Sequence, residues 1–272
     1  EGVDLVTYPS PLDPPKLANL IQKHKVTLLL ATPTFLRGYM RRVDPEQLET
    51  IKYVVTGAEK LPQKLAEAFS KKFGKKVMEG YGLTETSPVS NVNIPNVDTE
   101  NNEQLIPSER SGSVGQFLPG VAVRITDTND DTSIPINQSG MIWLKGSNVF
   151  KEYLHLPDQT KEVIKDEWFR TGDIGRVDED GFLFIEGRLS RFSKIAGEMV
   201  PHETIEAHVN KALSYDSEAE KKIAIVGVPD EAKGEALVML SSVEMDNDST
   251  KALRQKLLDS GVPALWIPKK IV

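Results

Sequence analysis

The sequence predicts a mixed fold in three parts: an α/β part built on a parallel sheet layer (1–107), a small β-rich subdomain (108–188) and a compact α+β unit (189–272). Three observations carry this. In the first part short apolar runs alternate with amphipathic stretches of helical length; in the second the apolar runs shorten and are divided by Gly and Pro; in the third, helical stretches flank a pair of apolar runs. Strand and helix in turn imply crossover connections and parallel pairing, because a parallel neighbour cannot be reached by a tight turn. Short strands with closely spaced turn residues imply antiparallel hairpins.

Taken in order, DLVTY (4–8) and KVTLLLA (25–31) read as strands with a helix between them over Pro15–His24. A helical stretch over Thr32–Arg42 leads to the strand IKYVVTG (51–57), and a helix over Pro62–Phe73 leads to KKVMEGYG (75–82). The β-rich part contains GSVGQFLPGVAVRITDT (112–128), SGMIWLKG (139–146) and DIGRVDEDGFLFIEG (173–187). A linker is expected over Arg188–Arg191. After it come SKIAGEMV (193–200), a helix over His202–Leu213, the strands KKIAIVGV (221–228) and EALVMLSSV (235–243), and a helix over Ser249–Ser260.

At 272 residues and 39% hydrophobic content the chain can bury a substantial core. A net charge of -7, with basic residues scattered along the sequence, argues against nucleic acid as the partner of its main surface. With no cysteine there is no disulfide, thiolate metal site or thiol nucleophile. No apolar run is long enough to span a membrane and no export signal opens the chain. The chain opens on EGVDLVTY without Met and closes on LWIPKKIV, which reads as a segment of a longer protein. The Asn-x-Ser patterns at Asn137 and Asn247 are short enough to arise by chance.

Ligands of an open parallel sheet collect at the carboxyl ends of its strands. Two such ends are chemically loaded, VVTGAEKLP (54–62) and GYGLTET (80–86). Gly57, Gly80 and Gly82 let the backbone approach a ligand; Tyr81 offers a flat face to a base, Thr84 a hydroxyl to a phosphate oxygen and Glu85 a carboxylate to a hard cation. The plainer reading is a Gly turn whose Thr and Glu cap the next segment.

A second cluster, TGDIGRVDEDGFLFIEGR (171–188), is a hairpin that turns at Asp178–Gly181 and brings Asp173 and Arg188 to one end. It is not a calcium loop, because Leu189 stands where a bidentate Glu is needed. Asp173 and Arg188 suit ribose hydroxyls and phosphate oxygens, or simply each other. The third cluster is RLSRFSKIAGEMVPHETIE (188–206) around Lys194 and Gly197. His202 and His208 lie about 240° apart on a helix, so they are expected as ordinary surface or interface residues and not as a metal pair. No phosphate-binding Gly-Lys-Ser/Thr loop and no Gly-x-Ser-x-Gly elbow is present.

In order and spacing, YGLTE, TGD followed by GFLFIEGR, KIAGEMVPHETIE and DEAKGEALV (230–238) resemble signature segments of the AMP-forming acyl-CoA synthetase and adenylation-domain family, over essentially the whole chain. The wording VVTGAEKL, EGYGLTET, RFSKIAGEMV and GVPALWIPKKI is most similar to its subgroup that uses acyl carrier protein, the ligase part of a bifunctional bacterial acyltransferase of phospholipid remodelling. The resemblance implies an acyl-CoA synthetase-like fold without its N-terminal portion. It also implies an ATP- and Mg²⁺-dependent ligase that converts a long-chain fatty acid to acyl-AMP and passes it to the phosphopantetheine thiol of acyl carrier protein. Transfer to free coenzyme A is the alternative within enzymes, and a non-catalytic nucleotide-binding module the alternative outside them.

By the same resemblance Gly57, Ala58 and Glu59 line the adenine side, Tyr81 stacks on the base beside Gly82, Thr84 meets the α-phosphate and Glu85 holds Mg²⁺. Asp173 holds the ribose with Arg188 beside it. Lys194 and Gly197 face the site during thiol transfer, after the C-terminal part turns at Ser190, where the family usually carries Asp or Lys. The family's phosphate loop is expected upstream of Glu1 and its adenylation lysine beyond Val272, so neither Lys269 nor Lys270 is assigned that role and the chain alone is expected to be inactive. The resemblance places this segment in the cytoplasm. A parent carrying the acyltransferase domain would sit on the cytoplasmic face of the inner membrane.

Overall fold

The computed structural model describes residues 2–96, 107–215 and 222–272. They cluster into two units, Glu1–Thr171 with Gly175–Ile185, and Gly172–Ile174 with Glu186–Val272.

The first unit opens with α1 (Pro14–His24), β1 (Leu28–Ala31), α2 (Pro33–Arg42), β2 (Tyr53–Thr56), α3 (Gln63–Phe73) and β3 (Val77–Tyr81). The strands pair parallel in the order β1-β2-β3, with Leu29 opposite Val54 and Val54 opposite Val77. β4 (Asn91–Val92) and β5 (Gln116–Phe117) then extend the sheet antiparallel. Each helix begins and ends for a local reason. Asp13 accepts from Lys16 N at the start of α1, Thr32 from Phe35 N at the start of α2, and Gly74 ends α3 in the left-handed conformation at φ 64°. Their last turns carry Lys23 and His24, Arg41 and Arg42, and Lys71 and Lys72, cations that suit the negative end of a helix. The helices cover one face of the sheet with Ala18, Ile21, Leu36, Tyr39, Leu65 and Phe69 against Leu29 and Val54. Burying Phe69 alone contributes roughly 2–3 kcal/mol.

Residues 4–8 form no strand. β1 is the edge of its sheet, and Val3 and Leu5 are 84% and 83% exposed, so the alternating pattern there has no neighbour to pair with among the described residues.

The β-rich part forms a second sheet from β6 (Ala122–Thr126), β7 (Gly140–Lys145), β8 (Ile164–Lys165), β9 (Trp168–Val177) and β10 (Leu183–Arg188), in the order β10-β9-β7-β6 with β8 on β9; α4 (Pro157–Val163) precedes β8. Gly181, at φ 81°, donates its N–H to Asp178 O and closes the predicted hairpin turn.

The second unit contains β11 (Phe192–Ile195), β12 (Glu198–Pro201), α5 (His202–Ala212), β13 (Ile223–Asp230), β14 (Gly234–Ser241), α6 (Asn247–Asp259) and β15 (Lys270–Ile271). Its sheet runs β12-β11-β14-β13, with β15 parallel to β14. Ile205 and Val209 of α5 and Leu253 and Leu257 of α6 close its core over Ile225, Leu237 and Met239. The α/β with α+β fold class is thus observed, with α1, α2, α3, α5 and α6 within a residue or two of their predicted bounds and α4 unforeseen.

Candidate functional site

In the first unit the two loaded strand ends lie side by side. A Cβ at Gly57 would come 3.3 Å from Gly80 O, which is how closely the turn after β2 approaches β3. Ala58 stands at φ 67°, a conformation costly for any side chain and usually kept where function demands it. Glu59 is exposed, but its carboxylate already accepts from Thr34 Oγ1 at 2.7 Å and Thr34 N at 3.3 Å, at the N-terminus of α2.

The segment after β3 is held by its surroundings. Leu83 N donates to Thr86 Oγ1 at 2.9 Å, Ser90 N to Tyr81 O at 2.9 Å and Phe150 N to Glu85 O at 2.8 Å. Asn148 Nδ2 bridges Thr86 O and Val89 O at 3.1 and 3.0 Å. Gly82 is required by packing, because a Cβ there would lie 1.9 Å from Pro88 O. Tyr81 is half-buried against the cluster of Val114, Ile142, Leu144, Val177 and Leu183. Thr84 is exposed. Glu85 is half-buried and accepts from Tyr153 Oη at 2.6 Å through Oε1. Burial, and then this bond to Glu85, push the Tyr153 hydroxyl up to about 12, so it stays protonated and donates.

Tyr153 and Asn148 were not legible as site residues. They lie over sixty positions from the segment they hold, in SNVFKEYLH (147–155), where nothing but an aromatic and an amide marks them.

A cavity of about 300 Å³ lies between α3, β3 and the Glu109–Ser113 loop; it is lined by Glu79, Gln63, Asn93 and Arg110 among others, and by none of Gly57, Ala58, Tyr81, Thr84 or Glu85. Glu79 accepts from Leu61 N at 3.1 Å, and burial raises its carboxyl above the ordinary range. The strand ends, unlike this cavity, bring together the exposed Thr84 hydroxyl and the half-buried Glu85 carboxylate.

The second unit holds Asp173, Arg188, Lys194 and Gly197. Asp173 is buried and its Oδ1 lies 2.8 Å from Arg188 Nε, the mutual pairing that the residues alone allowed. Ser190 is exposed. Arg191 is fixed, with its guanidinium bonded to the buried Glu206 carboxylate and to Ile225 O at 3.1 Å. Lys194 is exposed, and its N–H donates to Glu235 Oε2 at 2.5 Å. Ala196 and Gly197, at φ 50° and 89°, form the two-residue turn between β11 and β12. A Cβ on Gly197 would meet nothing within 4 Å, so the turn needs glycine for its backbone angle and not for room.

His202 departs from the surface placement expected of it. It is 2% exposed and its Nε2 lies 2.8 Å from the buried Ser193 hydroxyl; burial first, then Arg191, lowers its pKa. Lys269 pairs with Asp230 at 2.6 Å. Among the described residues no group of three or more His, Asp or Glu could hold a metal by itself.

The profile of the AMP-binding enzyme family matches residues 1–154, more than half of the chain. The chain belongs to the AMP-binding enzyme family. It is 30% identical to a long-chain-fatty-acid–CoA ligase of Bacillus subtilis (strain 168), over 97% of this chain and 46% of that protein. It is 32% identical to 4-coumarate–CoA ligase 3 of Oryza sativa subsp. japonica, over 86% of this chain and 42% of that one. Among solved structures, ATP-bound MatB from Rhodopseudomonas palustris superposes with a TM-score of 0.72 at 29% identity, over 96% of this chain and 49% of that one. The chain thus spans about half the length of the curated relatives it matches.

Proposed function

We propose that this chain is the nucleotide- and acceptor-handling segment of an AMP-forming ligase that activates a fatty acid. The observation that carries the reading is the strand-end segment Gly80–Thr86, held rigidly by Tyr153 and Asn148 while Thr84 stays exposed. In the first half-reaction the fatty acid carboxylate attacks the α-phosphorus of ATP, forming the acyl-phosphate bond and releasing pyrophosphate. In the second a thiol attacks the acyl carbonyl, a thioester forms and AMP leaves.

Such an in-line displacement needs negative charge neutralised more than it needs a protein nucleophile. Thr84 donates its hydroxyl to the α-phosphate and Tyr81 stacks on the base, with Gly57, Ala58 and Gly82 forming the backbone wall. Glu85 fits a Mg²⁺ ion as a single carboxylate whose Oε1 is oriented by Tyr153, since Mg²⁺ commonly takes one or two carboxylates and completes its shell with water and phosphate. When bound, the ion would neutralise phosphate charge. Asp173 and Arg188 take the ribose and Lys194 and Gly197 the thiol-transfer roles that the resemblance implies.

Both named curated relatives are CoA ligases, which supports coenzyme A as acceptor, and the Bacillus subtilis one supports a long-chain fatty acid substrate. Acyl carrier protein is a second reading, favoured by Ser190-Arg191 at the turning position. The segment is proposed to work in the cytoplasm.

The test has two arms. Calorimetry on the 272-residue chain should detect AMP binding that Tyr81→Ala weakens about tenfold, the loss of roughly 1–2 kcal/mol of stacking. The full natural protein, given ATP, Mg²⁺ and a long-chain fatty acid, should form a thioester with coenzyme A or with holo-acyl carrier protein, and which one decides the acceptor. AMP binding without any thioester would leave a nucleotide-binding module in place of the ligase.

A further inference from the structure

The turn after β2 is strained, and it is tethered from two sides. Ala58 stands at φ 67°, a conformation that persists only where the surroundings over-determine it. Ala58 and Glu59 are both exposed, so packing does not supply that constraint. Two carboxylates do. Glu79 of β3 accepts from Leu61 N at 3.1 Å and ties down the far side of the turn. On the near side the carboxylate of Glu59 itself reaches out of the turn to α2.

The first turn of α2 explains why Glu59 points that way. Pro33 has no N–H, Phe35 N donates to Thr32 Oγ1 at 3.3 Å and Leu36 N to Thr32 O at 3.0 Å, which leaves Thr34 N to find its partner elsewhere. Glu59 Oε2 accepts from Thr34 N at 3.3 Å and from Thr34 Oγ1 at 2.7 Å, so one oxygen takes both donors of one residue. The shorter bond joins a hydroxyl to a carboxylate and is the stronger of the two. The positive end of the helix adds to it. The Glu59 carboxylate is thereby committed to α2, and what the turn offers to a ligand is its backbone from Gly57 to Glu59.

We propose that Thr34 is a positioning residue for the nucleobase: its hydroxyl, acting through Glu59, holds the left-handed turn at Ala58 in the shape against which the base packs. Glu59 serves as a strut and not as a contact to the base. This rests on the reading of Gly57–Glu59 as the adenine side, and it assigns the geometry of that wall to a residue of another element, 25 positions earlier in the chain.

The test compares Thr34→Val, which keeps the shape of the side chain and removes its hydroxyl, with Thr34→Ser, which keeps the hydroxyl, in the 272-residue chain. Two readouts are taken. The backbone chemical shifts of Ala58, measured without ligand, report its left-handed φ; they should move in Thr34→Val and stay in place in Thr34→Ser. Calorimetry then follows AMP and ribose 5-phosphate, which has the sugar and phosphate but no base, each titrated to saturation. Thr34→Val should weaken AMP about fivefold, the size of one hydrogen bond, and leave ribose 5-phosphate unchanged, while Thr34→Ser should bind both like the unaltered chain. Ala58 shifts that Thr34→Val leaves in place would overturn the proposal whatever the chain binds. An equal loss for AMP and ribose 5-phosphate, or a loss that Thr34→Ser does not restore, would reduce Thr34 to a helix cap and overturn it as well. Failure of the unaltered chain to bind AMP would overturn the nucleotide reading and the proposal with it; the shifts are read without ligand, so that failure is distinguishable from a tether that does not hold.

Discussion

The Gly80–Thr86 segment of the first unit and the Phe192–Pro201 hairpin of the second carry comparable candidate residues, yet they are held in different ways. The first is fixed mostly by backbone groups and an amide from distant parts of the chain: Ser90, Asn148 and Phe150 bond to its carbonyls. The second presents Lys194 and Gly197 to solvent and is anchored mostly by side chains, Ser193 on His202 and Glu235 on the Lys194 N–H, with one backbone bond from Ala196 N to Lys233 O at 2.8 Å. Backbone anchors do not titrate and leave little freedom. Side-chain anchors that include an imidazole and a carboxylate make the hairpin's stability depend on charge. The difference means that the first segment keeps its geometry whatever the pH, while the second responds to the charge of its anchors.

The sharpest way to break this contrast is Gly82→Ala. The new Cβ would overlap Pro88 O, a backbone atom that the Ser90 bond to Tyr81 O and the Asn148 bridge hold in place. Strain of that kind costs about 3 kcal/mol or more, and should appear as an early unfolding transition of the first unit in urea. Gly197→Ala, the matching change in the second unit, has open space and pays only the left-handed backbone penalty, about 1 kcal/mol. Equal losses would mean that the two segments are not held differently.

Those two glycines also show what the sequence could and could not reveal. Gly82 and Gly197 both stood out inside short motifs, and most of the strands and helices around them were legible from apolar period. Why each must be glycine was not legible, because one answer is a carbonyl six residues on and the other a turn angle. Glu85 was readable as a carboxylate in a Gly-rich turn, but its partner Tyr153 is 68 positions away. The same limit hid the contacts between the connectors, where Lys75 Nζ reaches Glu49 O because parallel strands all start at one edge, a property of topology that a linear reading cannot carry. The apolar alternation at 4–8 misled in the opposite sense, since a strand exists only where another strand offers its hydrogen bonds.

A smaller effect sharpens the comparison from the scaffold side. Tyr153→Phe keeps the ring packed at a tilt against Phe150, 4.7 Å away, and removes only the hydroxyl that donates to Glu85. The half-exposed carboxylate regains water, so the stability cost is about 1 kcal/mol. Thermal unfolding reads that cost. If Glu85 is a Mg²⁺ ligand whose orientation Tyr153 sets, the same variant should weaken the Mg²⁺ dependence of ATP binding about tenfold while leaving AMP binding without metal unchanged, whereas a purely structural role would weaken both alike.

The smallest effect is the most discriminating, because it has opposite signs in the two units. His202 has its pKa lowered by burial, so between its folded value and the ordinary 6.5 the unfolded chain binds a proton that the folded unit refuses. Its contribution is therefore present above pH 6.5 and lost as pH falls through the folded value. Arg191 opposes protonation, and Glu206 and Glu235 only partly offset it. Glu79 has its pKa raised by burial, so the folded first unit holds a proton that the unfolded chain has released; this contribution is present below about pH 4.5 and lost as pH rises through the folded value. Acidification from neutrality should thus loosen the β11–β12 hairpin while relieving the strain of a buried charge on β3. Hydrogen exchange at the amides of Ser193 and Met78, followed against pH in the unaltered chain and in His202→Gln and Glu79→Gln, reads the two units separately. Each glutamine keeps a hydrogen-bonding side chain and removes the titration, so each should abolish the pH dependence in its own unit and leave the other's intact. A pH response that moves together in both units, or that survives His202→Gln, would mean that the hairpin is not anchored through that imidazole.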